Sequence, residues 1–556
     1  MRIRRITVPI HIILTFFWER LIFSFNDDWS EFCTISLNED MSNLTEKLIF
    51  YCLSKLLAVI IIYLFWKCIF YVADNFGKAE IKIFFGVFLL GLFLVFICWP
   101  VSFGYEIDNY WNFMHVLALK PYYWHSVYTG CLYAACMMVL PLKVSIAVFQ
   151  WLCFVCLLYY AFKTVRKNNR YMAWLVFTVF LLPETYYLIV NPYRNNYYCM
   201  LALFYVILIQ NIRMEKKSLS LMGWMGFLLL SAFVAIYRSE GFVLGICGLL
   251  IILISDYGKK LYRYIVPCAL LLVCMQALSF PQKIGNIKYY GSDYFFVSAT
   301  AQLPAVLNDK NINSSYKGYE EDIAAIEKII PLDMLKSRGL EGYRSENYAR
   351  GHGDFNQTCA DSNEQSNFKK AYVRLIIHNI WPYAKNQLNY FLSSMGIGFR
   401  LHTDEYEGKI PDTPVFVYDQ WETGREIFYS DGLTRAWKDN GFRKTVFKIT
   451  DSMRTGFGKM CDRLRSNVAL HLFTLISNTF FIVYSAIKGF KRKDKTDSLY
   501  GMIAIVILLQ LGIVIAGMPE PRGVYLYPYL YCSYWLILSF IVQKIGTLRH
   551  GAQKEI

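Results

Sequence analysis

Between two apolar stretches the chain reads Gly104-Tyr105-Glu106-Ile107-Asp108-Asn109-Tyr110-Trp111. Two carboxylates two residues apart among aromatic rings suit a general base or a metal ligand at a surface. The same acids suit the first turn of a following helix, whose N-terminal dipole favours negative charge. The residues leave both readings open. Charges recur in three short turns, Pro192-Tyr193-Arg194, Tyr237-Arg238-Ser239-Glu240 and Pro519-Glu520-Pro521-Arg522. A planar guanidinium fits phosphate oxygens better than an ammonium does, so Arg194, Arg238 and Arg522 could clamp a phosphate or pyrophosphate. They could equally snorkel to lipid head groups, or lock onto Glu240 and Glu520.

The elements that must position these residues are membrane helices. Of 556 residues 56% are apolar, 17% aromatic and only 18% charged. The apolar residues come in runs of about 17 to 25, long enough to cross a hydrocarbon layer of roughly 30 Å. Twelve spans are predicted, at 6–23, 48–72, 82–101, 144–162, 171–190, 195–212, 221–237, 241–255, 263–280, 467–487, 499–517 and 523–542. Glu19 and Arg20 cut the first run to about 13 apolar residues, short for a span, yet it reads as an anchor. The stretch Ser126–Leu140 is also too short to cross and would reverse every later loop, so it is read as a re-entrant or surface-lying helix.

The net charge of +15 sits in short connections: Arg2 to Arg5, Lys163 to Arg170, Arg213 to Lys217, Lys259 to Arg263, Lys488 to Lys495 and the tail after Gln543. Such clusters mark cytoplasmic loops, and no nucleic-acid partner is expected. With these loops inside, Asn26–Glu46, Val101–Lys143, the three arginine turns and Pro281–Ser466 all fall outside. Residues 281–466 carry 25 Lys and Arg against 23 Asp and Glu, too balanced for a polyanion-binding domain. The reading is an all-α polytopic protein of the plasma or inner membrane. It has an N-terminal membrane domain (1–280), a large, mainly helical extracytoplasmic domain (281–466) with an amphipathic helix from Phe368 to about Ser394, and a C-terminal membrane domain (467–556). Arg350–Asp354 and Glu407–Pro414 read as loops within the large domain.

Other candidates carry less. Cys153-x-x-Cys156 lies on a membrane helix with no second pair, and most of the 15 cysteines sit in apolar runs. Cys33, Cys359 and Cys461 fall outside, leaving a Cys359–Cys461 disulfide open. His125, His352 and His378 show no metal-ligand spacing, so no zinc site is expected. Gly351-His352-Gly353-Asp354 reads as a flexible loop, and sequons stand at Asn43, Asn313 and Asn356.

The acidic motif in the first large outer loop, the aromatic helix around Tyr122–Tyr133 and the arginines at later outer turns resemble the polytopic GT-C glycosyltransferases. The resemblance implies a polyprenyl-phosphate-linked sugar as donor, a glycan or lipid acceptor, and Asp108 as the base that deprotonates the acceptor hydroxyl, with Glu106 beside it. Arg194, Arg238, Glu240, Glu520 and Arg522 would bind the donor's phosphate or sugar. No cofactor is assigned, and a divalent cation is left open. The large loop also resembles that of a group of bacterial membrane proteins placed with these transferases. The matching segments are Ala301-Gln302-Leu303-Pro304-Ala305-Val306, Ile330-Pro331-Leu332-Asp333-Met334-Leu335 and Ile377-His378-Asn379-Ile380-Trp381-Pro382-Tyr383, with Asn379 where that group has proline. A polysaccharide polymerase or ligase shares many of these features, and a transporter or lipid flippase is a non-enzyme alternative. The threading predicts that reporters fused after Ile330 are active on the outer side and those fused after Asn168 in the cytoplasm; the reverse pattern would overturn it.

Overall fold

The computed structural model describes residues 2–23, 44–98, 112–113, 115–123, 125–190, 192–215, 219–256, 262–290, 295–337, 362–395, 449, 453, 468–491, 495–518 and 523–552. Among them every element is helical. Among the described residues, eight helices are long and apolar enough to cross a membrane. Their surfaces explain the solvent: Leu90, Val273 and Ile476 are each more than 60% exposed, which water would penalise and hydrocarbon does not. The protein is a polytopic helical membrane protein. Its chain folds as two compact units, one of residues 1–218, 413–465 and 531–556, the other of 219–412 and 466–530.

The first unit contains α1 (Arg2–Ile22), α2 (Leu44–Asn75), α3 (Ala79–Cys98), α4 (Val127–Val139), α5 (Ser145–Arg166), a 3-10 helix (Met172–Leu181), α6 (Pro183–Val190) and α7 (Arg194–Met214). α4 has 13 residues, about 20 Å of rise, and is buried on nearly every face, unlike a helix lying on a surface. A helix ending away from water leaves carbonyls that need donors. Trp18 Nε1 donates to Met138 O at 2.7 Å, and His11 Nε2 bonds Val139 O at 2.7 Å. Trp66 donates its indole N–H to His11 Nδ1 at 3.0 Å, which leaves the proton on Nε2. α1 is therefore fastened to α4 and α2. The same helix pair hides the acid that interrupts the first apolar run: Glu19 pairs with Lys55, accepts from Tyr51 Oη at 2.8 Å, and Lys55 also reaches Thr15.

The expected span 171–190 is not one helix. Pro183 has no N–H to continue the ladder and holds Leu182 extended (φ −76°, ψ 121°), so the segment divides into a ten-residue 3-10 helix and α6. Tyr531 and Tyr534, from the α18 helix (Tyr527–Ala552), bond Thr185 and Thr178 across this break. Helix ends expected in the cytoplasm are joined to one another. Tyr71 and Tyr159 hydroxyls lie 2.8 Å apart, while Arg166 pairs with Glu80 and Lys167 with Glu215.

The second unit holds α8 (Leu221–Tyr237), α9 (Gly241–Asp256), α10 (Tyr262–Tyr290), α11 (Phe295–Leu307), α12 (Tyr319–Glu327), α13 (Leu332–Ser337), α14 (Ser362–His378), α15 (Ile380–Ser394), α16 (Val468–Lys491) and α17 (Lys495–Gly517). α8 and α9 touch backbone to backbone, because a Cβ on Gly245 would overlap Ser231 O and Ala235. α11 to α14 close over a core that includes Leu303, Val306, Ile326, Ile330, Phe368 and Leu375. The amphipathic helix starts earlier than expected and bends at Asn379, whose side chain accepts from Asn313 N–H at 2.6 Å and donates to Leu375 O. The carbonyl end of α17 is met from this region: Gln302 and Tyr383 donate to Ala516 O, and the Gln387 amide, in its satisfied orientation, donates to Ile515 O and Met518 O. The Arg350–Asp354 loop, Glu407–Pro414, Asn43, Asn356, His352, Cys33, Cys359 and Cys461 lie outside the described residues.

The Glu19–Lys55 pair yields a test. Glu19→Leu or Lys55→Leu alone should destabilise by about 3 kcal/mol, because each strands a buried charge, and the double variant should regain most of it. Unfolding of purified protein in mixed micelles measures this double-mutant cycle.

Candidate functional site

Residues 112–113 and 115–117 are helical, directly after the acidic motif in sequence, and the end of the second piece is unusual. Lys120 N–H donates to His115 O and Leu119 N–H to Val116 O, both at 2.9 Å, the paired bonds of a Schellman ending. The position that normally takes glycine is Leu119, with φ +51°. A buried leucine held left-handed costs about 1 kcal/mol, and such strain concentrates at sites where geometry matters.

This turn holds three buried polar side chains, Asn112, His115 and His125. Tyr122 lies between the two imidazoles, its ring centroid 4.9 Å from that of His115 and 5.3 Å from that of His125. Burial, and then the charge of Lys120, push the His115 imidazole down to about 4, so it is neutral at ordinary pH. Among the described residues, neither amide atom of Asn112 nor His115 Nδ1 has a hydrogen-bond partner. Buried amides without partners are costly, so a polar group offered to them is bound with little competition. Asn112 and His115, three apart on one helical face, were not singled out from sequence. Their spacing was visible, but Leu119 hides the helix end that buries them.

α4 brings this turn to the first arginine. A Cβ on Gly130 would lie 3.3 Å from Asn112 Oδ1, and Tyr133, one helical turn on, donates its hydroxyl to Pro192 O. Asn112 stands four residues beyond Asp108, and Pro192 two before Arg194. Arg194 is half-buried in the first turn of α7, between the buried Tyr193 and Asn195. A cation there adds to the positive end of the helix dipole, an arrangement that favours a nearby anion.

In the second unit the turn between α8 and α9 holds Arg238 and Glu240. Their ion pair is buried, Ser239 Oγ donates to Glu240 Oε2 at 3.2 Å, and the guanidinium carbon lies 5.4 Å from the Tyr525 ring centre. Tyr525 follows Arg522 by three residues in the sequence. The carboxylate two residues away fixes the Nε side of Arg238, as the locking reading and the orienting reading both require.

Glu106, Asp108, Glu520 and Arg522 lie outside the described residues. Among the described residues no three His, Cys, Asp or Glu side chains gather as a bound metal ion would require. Comparison with family models, with characterised proteins and with solved structures finds no match to this chain.

An unfolded chain protonates an imidazole near 6.5, and native His115 does so only near 4. In between the unfolded state binds more protons, so this residue's contribution makes stability fall as pH drops through that window. His115→Leu should flatten that part of the stability profile, measured by thermal unfolding between pH 7 and 4.5.

Proposed function

We propose that this chain is a GT-C-like membrane glycosyltransferase with about twelve crossings. It moves a sugar from a polyprenyl-phosphate-linked donor to an acceptor hydroxyl on the outer face of a cell membrane, in assembly of envelope glycan or polysaccharide. The observation that carries the reading is the meeting on α4: Asn112 and Pro192 seat within one helical turn of each other. Asn112, which follows the acidic motif directly in sequence, and Pro192, two residues before Arg194, thus both touch the same short helix.

In this reading Asp108 takes the proton of the acceptor hydroxyl as its oxygen attacks the anomeric carbon. The bond from that carbon to the phosphate oxygen breaks, and polyprenyl phosphate leaves with the electron pair. Direct attack inverts the anomeric centre. Glu106 supports the negative site, and Arg194 offsets charge growing on the leaving phosphate. Arg238 and Arg522, with Glu240 and Glu520 as orienting carboxylates, are assigned to the donor headgroup at the same membrane face by the threading of the sequence. Asn112 and neutral His115 offer hydrogen bonds suited to sugar hydroxyls, and Tyr122 offers a ring face.

Purified protein in nanodiscs, given a panel of labelled polyprenyl-phosphate sugars, should transfer one of them to acceptor. Asp108→Asn should lower kcat by about 100-fold or more with unchanged thermal unfolding, the scale of a lost general base. Near-normal turnover would remove Asp108 from the mechanism. Arg238→Lys should raise the donor KM several-fold, since it keeps the charge and loses the planar fork. An unchanged KM and kcat would make Arg238 purely structural.

A further inference from the structure

α14 and α15 behave as one bent helix. Asn379 N–H donates to Leu375 O at 3.0 Å and Tyr383 N–H to Asn379 O at 3.2 Å, so the ladder runs through the bend. One side of α14 is spent on the core, where Phe368, Ala371 and Leu375 are fully buried. A second apolar side remains. Val373, Ile377, Ile380, Trp381 and Leu388 are all exposed, Ile377 by 63% and Trp381 by 74%. Counted at 3.6 residues per turn they fall within a sector of about 100°, a continuous stripe roughly 22 Å long.

Two further observations say what covers it. From Ser366 to Ser394 the helix carries Lys369, Lys370, Arg374 and Lys385 and no acid. Arg374 and Lys385 also reach the domain's Asp322 and Asp309, and Lys370 is exposed. The level is set by the bonds to α17: Tyr383 and Gln387 of α15 donate to the last carbonyls of a helix long and apolar enough to span. α15 therefore lies within one helix diameter of the point where a membrane helix leaves the hydrocarbon.

We infer that the α14–α15 stripe is a membrane-surface contact, with Ile377, Trp381 and Leu388 seated among the acyl chains just below the headgroups and the lysines facing anionic lipid phosphates. Burial of such a face beside basic residues is how an interfacial helix gains affinity. The inference is independent of the catalytic reading.

The test uses the full-length protein with p-benzoylphenylalanine in place of Ile377, Trp381 or Leu388, or of the exposed Glu320 on α12 as control. After reconstitution into nanodiscs of phosphatidylglycerol and phosphatidylethanolamine, illumination should give lipid adducts by mass spectrometry at the three stripe positions, several-fold above Glu320. Yield at Trp381 should fall several-fold when neutral phosphatidylcholine is the only lipid. All four positions are exposed, so the substitutions leave the core intact, and monodisperse elution checks this. Adducts to a second copy of the chain in place of lipid, or yields no higher than at Glu320, would overturn the inference. Yield indifferent to headgroup charge would overturn the role given to the lysines.

Discussion

A helix that stops where water cannot reach leaves its final carbonyls without donors, and each such group costs several kcal/mol in hydrocarbon. α4 faces this constraint, and the far end of α17, where that helix leaves the hydrocarbon, is closed in the same way; each is met by side chains from a distant part of the sequence. Trp18 and His11 close α4, while Gln302, Tyr383 and Gln387 close α17. These bonds fix depth as well as stability. The first set holds the short helix against which the candidate site is built, and the second ties α11 and α15 to a spanning helix.

The same requirement accounts for polar groups in an apolar setting. Glu19 and Lys55 interrupt two apolar helices and neutralise each other, so α1 can pack against α2 despite its short apolar run. Gln210 accepts from Trp535 at 2.6 Å, and Gln150 donates to Leu188 O. In each case a polar side chain joins two helices that apolar packing alone would let slide. Arg238 with Glu240 is built alike, but it stands in a turn between α8 and α9.

The polytopic helical character was legible in sequence because length and hydropathy are local signals. Runs such as those around Ile60, Leu90 and Val506 announce spans without tertiary information, and Pro183 marks a break that hydropathy averages away. The candidate site was legible only in part. Arg194, Arg238 and Glu240 stood out as charges in short turns. His115 and Asn112 did not, because their burial depends on a left-handed leucine and on Gly130 of a helix 18 residues farther on. Such contacts arise from packing between segments, which no single window of sequence contains. Gln302 shows the same limit: its motif was visible, but its partner, Ala516, lies more than 200 residues away.

The polar cluster after the acidic motif differs in kind from the closed structural bonds. Gln302, His11 and Trp18 have partners and stay where packing puts them. Among the described residues, both amide atoms of Asn112 stay without partners while strain at Leu119 holds its turn in place. A fold that satisfies carbonyls across more than a hundred residues elsewhere leaves this amide unmatched one turn from Pro192, and it does so against a helix buried on nearly every face. Rigid surroundings with open polar valence are what preorganised binding of a hydroxyl-rich group requires, since the protein then pays little to adapt when the ligand arrives. The acid in sequence just ahead of that amide is where chemistry on such a group would begin.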